Sequence, residues 1–371
     1  MKRPVSNSSS AVDRRSFMRS GLIAGGAVAV GAGLLSNTNL ARAQERASSG
    51  RLNQGDIAIL RLLAAAELIE SDLWIQYAEL GGLTSGVPIE VNQNQSLNAY
   101  QMALSNLDSD GPQYITSNTL DEVSHAKFLN AYLASKGAAQ VDFDKFRKLA
   151  GSSATGSSGK KRLTNLMHLN VDTSWFVRYR SATNPDLGAS FPQAITLSDR
   201  PTIPITNADF SDQDHIQVIA NTAAFHFGSI EQGGTSLYAT LSQKVTHPEV
   251  LKITLSIGGS EIAHFLEWVD FAGNGVQPTV APVSDSGLTF PNFFDPLNKL
   301  IQPSLIFPVP CEFISPDLPK CAIIRPTSDE FSGAVAAIDG LMASGLFTGQ
   351  SQEFLDVLQQ IAFDADQAFR F

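Results

Sequence analysis

The sequence predicts an all-α protein built on four long helices, with a long connection between the second and third and a loop-rich C-terminal extension. Three observations point there. Four segments space their apolar residues three and four apart, the period of a helix with one buried face. Gly81-Gly82, Pro112, Gly137 and Pro248 fall at the segment ends, where such residues start or stop helices. Two segments carry one pattern, Glu122-x-x-His125 in EVSHAKFL and Glu261-x-x-His264 in EIAHFLEW.

In chain order, residues 1–43 stand apart from the fold. DRRSFMR (13–19) resembles a twin-arginine export signal, followed by the apolar run GLIAGGAVAVGAGLL and an Ala41-Arg42-Ala43 cleavage pattern. That run of about fifteen residues is shorter than the ~20 that span a membrane, so no stable membrane insertion is expected after cleavage. The expected destination is the periplasm or the exterior. Six of the 26 basic residues and one of the 36 acidic ones precede Gln44, which leaves 20 against 35 and a formal charge of −15. Such a chain, with no basic stripe, excludes nucleic acid as a partner, because phosphate neutralisation needs clustered Lys and Arg.

The next expected unit, 44–275, holds the four helices. The first covers 54–80. A shorter helix is expected over 96–107, and the second long one runs from about Pro112 to Gly137. Residues 138–210 break the helical period and read as a crossover, with GSSATGSSGKK (151–161) flexible in composition. Helical spacing returns over 211–245 and 247–273, and the tight turn between them implies antiparallel neighbours. The extension, 276–371, ends in short amphipathic helices near 328–345 and 350–369. Cys311 and Cys321, the two cysteines, are expected to close a short Pro-rich loop as a disulfide.

Glu and His three apart share a helix face, so each Glu-x-x-His can reach one point beside its helix. A binuclear carboxylate site also wants one Glu from each of the other two helices. Glu67 and Glu231 supply them, and each precedes an aromatic by seven residues, Trp74 and Tyr238. Four carboxylates and two imidazoles brought into one core need cations, since lone buried carboxylates cost several kcal/mol each. Mixed carboxylate and imidazole donors suit iron or manganese, and the lack of thiolate argues against structural zinc.

Through Glu67, Glu122, His125, Glu231, Glu261 and His264, over 54–137 and 211–273, the chain resembles the ferritin-like superfamily. Within it the likeness is to an exported bacterial branch related to desiccation-associated proteins. The resemblance implies a four-helix bundle with one crossover, those six residues as ligands of two iron or manganese ions, and an oxidoreductase using oxygen or peroxide. A small-molecule oxidant is the implied partner. It equally allows a non-catalytic stress protein of the envelope; iron storage ranks last, because the crossover and extension obstruct shell packing. No oligomeric state follows from the sequence.

Other residues are weighed beside the six. Glu70, one turn from Glu67, is open between replacing Glu67 or adding a seventh carboxylate and being a solvated surface group. His226 is expected as a satisfied histidine and His168 as structural, with His215 and His247 exposed near helix starts. Trp74, Tyr77 and Tyr238 are expected to serve packing. Gly233-Gly234 and Gly258-Gly259, close to proposed ligands, mark either a close helix approach or a local bulge.

Overall fold

The computed structural model describes residues 51–80, 103, 111–173, 196–273, 283–285, 287–290, 308–309, 314–322 and 333–368. They are mostly helical, with a few short strands. Residues 1–43, expected to direct export, and all but residue 103 of the helix expected over 96–107 lie outside these residues.

Four long helices carry the core: α1 (Gln54–Leu80), α2 (Gly111–Ser135), α3 (Gln213–Ser242) and α4 (Pro248–Gly273). Three of the four starts have a local cause. The Asn53 carboxamide accepts the Asp56 N–H at 2.7 Å, and Asp212 accepts those of Asp214 and His215. Pro248 opens α4 at the position where its missing N–H costs nothing.

Cross-contacts fix the directions. Thr119 Oγ1 donates to the Trp74 carbonyl at 3.2 Å, while Glu67 faces His125, so α1 and α2 are antiparallel. Tyr77 meets His226 and Glu67 meets Tyr238, which makes α1 and α3 antiparallel too. Ser242 bonds Thr254 across the tight α3–α4 turn. Trp268 bonds Asn118, and Tyr132 bonds Glu249, so α4 opposes α2. It follows that α2 and α3 run the same way, and the chain between them must travel back along their length. The expected crossover is therefore a geometric necessity.

That crossover is not loosely attached. Buried acids of α1 hold it in place. Asp72 accepts the N–H groups of Leu163 and Thr164, both at 2.9 Å, and pairs with Arg147. Glu79 pairs with Arg162 and accepts the Ser158 N–H at 3.2 Å. The 151–161 stretch, expected to be flexible, is thus packed: Ser152 and Ala154 are buried, and Ser153 N–H bonds the Ile205 carbonyl at 2.9 Å. Its small residues let backbone donors approach a carboxylate that needs them. Two strands, β1 (Leu169–Val171) and β2 (Leu197–Arg200), pair antiparallel within the crossover.

The extension adds two short antiparallel pairs, β3 (Val283–Asp285) with β4 (Leu288–Phe290), and β5 (Pro308–Val309) with β6 (Cys321–Ala322). Two helices follow, α5 (Ala334–Ala343) and α6 (Gln352–Asp366). Asp366 at the end of α6 accepts the Ala334 and Val335 N–H groups at 2.8 and 2.9 Å, which caps α5 from outside. Helix α6 packs along α1, and α5 lies against α3. Helix α3 is consequently covered all round, and its sequence shows it: nearly every residue from Ile216 to Ser242 is buried.

The expected disulfide is corrected. Cys321 is exposed and carries a free thiol, because the β5–β6 register sets Val309 opposite it; Cys311 lies outside the described residues. His247 is buried rather than exposed, since its backbone N–H and that of Thr246 tie the α3–α4 turn to Asp56. His215 is partly covered, with Asp285 2.8 Å and Asp209 3.4 Å away. His168 pairs at the surface with Asp199 at 2.9 Å. No described helix is long and apolar enough to cross a membrane.

Candidate metal centre

Helical periodicity brings all six predicted residues to one place. Glu67 on α1, Glu122 and His125 on α2, Glu231 on α3, and Glu261 and His264 on α4 converge at mid-length of the helices. Glu122, Glu231 and Glu261 are fully buried, with 0% exposure, and Glu67 is nearly so. His125 Nδ1 lies 3.4 Å from Glu67, 3.2 Å from Glu122 and 3.7 Å from Glu261. His264 Nδ1 lies 3.0 Å from Glu122 and 3.4 Å from Glu231. The two imidazole centroids stand 6.5 Å apart.

These residues fall into two overlapping groups, Glu67, Glu122, His125 and Glu261, and Glu122, Glu231, Glu261 and His264. Within each, one donor atom per residue lies within 4.8 Å of the others. Glu122 and Glu261 belong to both. Either group could hold a metal ion.

The rest of the molecule supplies a control for the electrostatics. Asp56, Asp72 and Glu79, also buried on α1, each find donors: backbone N–H groups and Thr246 for Asp56, Arg147 for Asp72, Arg162 for Glu79. Among the described residues no Lys or Arg pairs with Glu67, Glu122, Glu231 or Glu261. One oxygen each of Glu67 and Glu231, both oxygens of Glu261, and Nδ1 of His264 are buried with no hydrogen-bond partner. Orphaned buried carboxylate oxygens are costly, and a cation is what would satisfy them together. The donor set fits a hard or intermediate divalent metal.

Protonation answers the same pressure. Burial first, and then mutual repulsion, holds Glu122 and Glu261 well above the usual carboxylate range. Glu70 rises too, from burial and then from Glu67 and Glu231. Half-buried, with one oxygen fully covered, it stands beside the cluster and outside both four-residue groups. Burial lowers His264, but the Glu231 and Asp121 carboxylates outweigh it and bring the imidazole to about 9.

A surrounding layer orients the six. His125 Nε2 bonds Ser260 Oγ at 3.2 Å, and His264 Nε2 bonds Asp121 Oδ2 at 3.1 Å, so both rings present Nδ1 inward. Asn118, held by the Trp268 indole N–H at 2.7 Å, donates to Glu122 at 3.0 Å and Glu231 at 3.1 Å. Tyr238 donates to Glu67, so its hydroxyl serves the cluster as well as the core. Trp74 stacks on Trp268 and packs as expected. Tyr77 bonds Thr202 and His226, whose buried ring is driven down to about 3 and stays neutral.

Sequence reasoning missed Asp121, Ser260 and Asn118. A signal existed for the first two: each directly precedes the Glu of a Glu-x-x-His pair, and each serves the histidine of the other pair. One glycine of each pair reflects close approach, while Gly233 and Gly259 meet nothing. A Cβ at Gly258 would sit 2.9 Å from Tyr238 Cβ, and one at Gly234 would overlap the Glu261 carboxylate.

Compared with family models, curated proteins and solved structures, the chain matches none.

Proposed function

We propose that this chain is a ferritin-like four-helix protein holding two iron or manganese ions, and that it acts as an oxidoreductase on oxygen or peroxide. One observation carries the reading: two four-residue groups share Glu122 and Glu261 in a core where, among the described residues, no Lys or Arg pairs with the glutamates. Glu67 and His125 would complete one position, Glu231 and His264 the other. The up, down, down, up order of α1 to α4 supports the ferritin-like part.

When bound, a redox-active pair of ions would supply the electron transfer that oxygen or peroxide chemistry needs. The chain's own residues do the rest. Asp121 and Ser260 hold the imidazoles in the orientation that presents Nδ1. Asn118 and Tyr238 hold Glu122, Glu231 and Glu67 by hydrogen bonds, and the aromatic wall of Trp74, Phe227 and Trp268 keeps water from one end. Residues 1–43 would direct export and be removed; N-terminal sequencing of the secreted chain, starting near Gln44, tests that.

The decisive experiment is elemental analysis of the protein purified from cells supplied with both metals. About two iron or manganese per chain is expected; a content near zero removes the reading. Complete burial of three of the four glutamates favours a second reading, a closed non-catalytic centre in a stress or desiccation-related envelope protein. Consumption of peroxide or oxygen by the metal-loaded protein separates the two.

A further inference from the structure

Between α1, α3 and α5 lies a cavity of about 400 Å³. Protein interiors leave few voids larger than a water molecule, while small-molecule sites run from roughly 300 to 1,000 Å³. The walls are largely apolar, with Leu62, Leu73, Ile230, Leu237 and Leu341 among them, and include the carboxylates Glu70 and Asp172.

Two features connect this space to the cluster. Gly234 lines the cavity, and its other side abuts Glu261 so closely that a Cβ would overlap the carboxylate. A single glycine therefore separates the void from a residue shared by both groups. Glu70 also lines the cavity, and its Oε2 is buried with no hydrogen-bond partner. Glu70 is half-buried and brings a carboxyl group to a largely apolar wall, beside Glu67 and Glu231.

Gly233 adds a third observation. It lies inside α3, where glycine costs up to ~1 kcal/mol against alanine, and nothing lies within 4 Å of where its Cβ would be. Packing does not demand glycine there. What the missing side chain preserves is open volume in the cavity it lines.

We propose that this cavity binds a small neutral apolar molecule, an alkyl chain or single ring ending in a hydroxyl, with that hydroxyl donating to Glu70 beside the carboxylate–histidine cluster. The role as the substrate pocket of that centre rests on the di-metal reading; the binding itself does not. Apolar walls receive the hydrocarbon, and the Glu70 carboxyl, on the side of the cluster, fixes which end goes in. Among the described residues no Lys, Arg or His lines the cavity, so a carboxylate-headed ligand would be buried there without a counter-charge and is selected against.

The test is calorimetric titration of the full mature chain with 1-octanol and with octanoate, metal content being measured on the same samples. Saturable one-to-one octanol binding is expected, at least about tenfold tighter than octanoate. Gly233→Leu should weaken octanol at least about tenfold without lowering the melting temperature or the metal content, because the new side chain enters empty space. Ala337→Phe, which fills the cavity from α5, should do the same from the opposite wall. Absent saturable binding, or equal binding by both variants, overturns the site, and octanoate binding as well as octanol overturns the role of Glu70. Gly233-dependent binding in a chain that never carries metal overturns only the assignment to a metal centre. Two metals per chain without octanol binding leaves the centre standing and sinks the cavity.

Discussion

The α1–α2 and α3–α4 pairs build the same half-site from different surroundings. Glu67 corresponds to Glu231, Glu122 to Glu261 and His125 to His264. Around them the correspondence fails. The residue before the helix-pair glutamate is Asp121 in one half and Ser260 in the other. Three positions after the first glutamate stand Glu70 and Gly234. Glu67 receives a tyrosine hydroxyl, Glu231 an asparagine amide. Shared inner residues with unlike supports teach that the two groups are alike in donor set and unequal in the charge around them.

The sharpest way to break the likeness is to remove what both halves share. Glu122→Gln or Glu261→Gln should take metal content from about two per chain to near zero, because each position loses a donor at once. Glu67→Gln and Glu231→Gln should each leave about one, since each belongs to a single group. Elemental analysis distinguishes the patterns, and equal losses from all four variants would show that the halves do not divide as drawn.

Acidity provides the next test, on metal-free protein. Glu70, Glu122 and Glu261 sit above the ordinary carboxylate range and His264 near 9, so the folded chain keeps protons that the unfolded chain releases. Between about pH 6.5 and 9 the unfolded state binds fewer protons, and stability must fall as pH rises. His226, driven down by burial, is neutral in both states throughout that window and does not oppose the trend. The melting temperature should drop by roughly 5 °C or more across it. Metal should abolish the drop, and its binding should release protons measurable in weakly buffered solution.

Adjacent glycines allow a finer cut. Gly234→Ala pushes a methyl group into the Glu261 carboxylate, the movable end of a side chain, so Glu261 swings away at small cost in stability. Metal affinity should fall about tenfold or more while the melting temperature shifts little. Gly233→Ala, one residue earlier, meets nothing and should leave metal affinity as it is. Calorimetric metal titration of both variants reads the contrast.

Much of this was legible before any coordinates. The four helices follow from three-and-four spacing and their Gly and Pro ends, and they begin and end within a few residues of expectation. The six cluster residues were legible because a period of 3.6 puts i and i+3 on one face. What escaped depends on packing between elements distant in sequence. The 151–161 segment looked flexible from its Ser and Gly content, yet Glu79, more than seventy residues away, orders it. His247 looked exposed from its place at a helix start, but Asp56 buries that turn. Cys321 looked paired by proximity to Cys311, whereas strand register decided its neighbour. Composition carries no record of which acid lies behind a loop.

The smallest expected effect addresses the supports themselves. Asp121 and Ser260 perform one task, holding Nε2 of a histidine so that Nδ1 faces inward, but the aspartate adds a negative charge and the serine does not. A carboxylate behind a coordinating imidazole raises its basicity as well as fixing its ring, and losing such a partner commonly costs 10–100-fold in metal affinity. Asp121→Asn keeps a hydrogen-bonding group of the same shape, so it isolates the charge. It should weaken one of the two metal-binding steps by about tenfold. Ser260→Ala removes a neutral bond and should weaken the other by only a few-fold. Stepwise titration with manganese, followed by the signal of the bound ion, resolves the two events. Equal effects from both variants would mean that ring orientation alone, and not the asymmetric charge, sets the strength of each half.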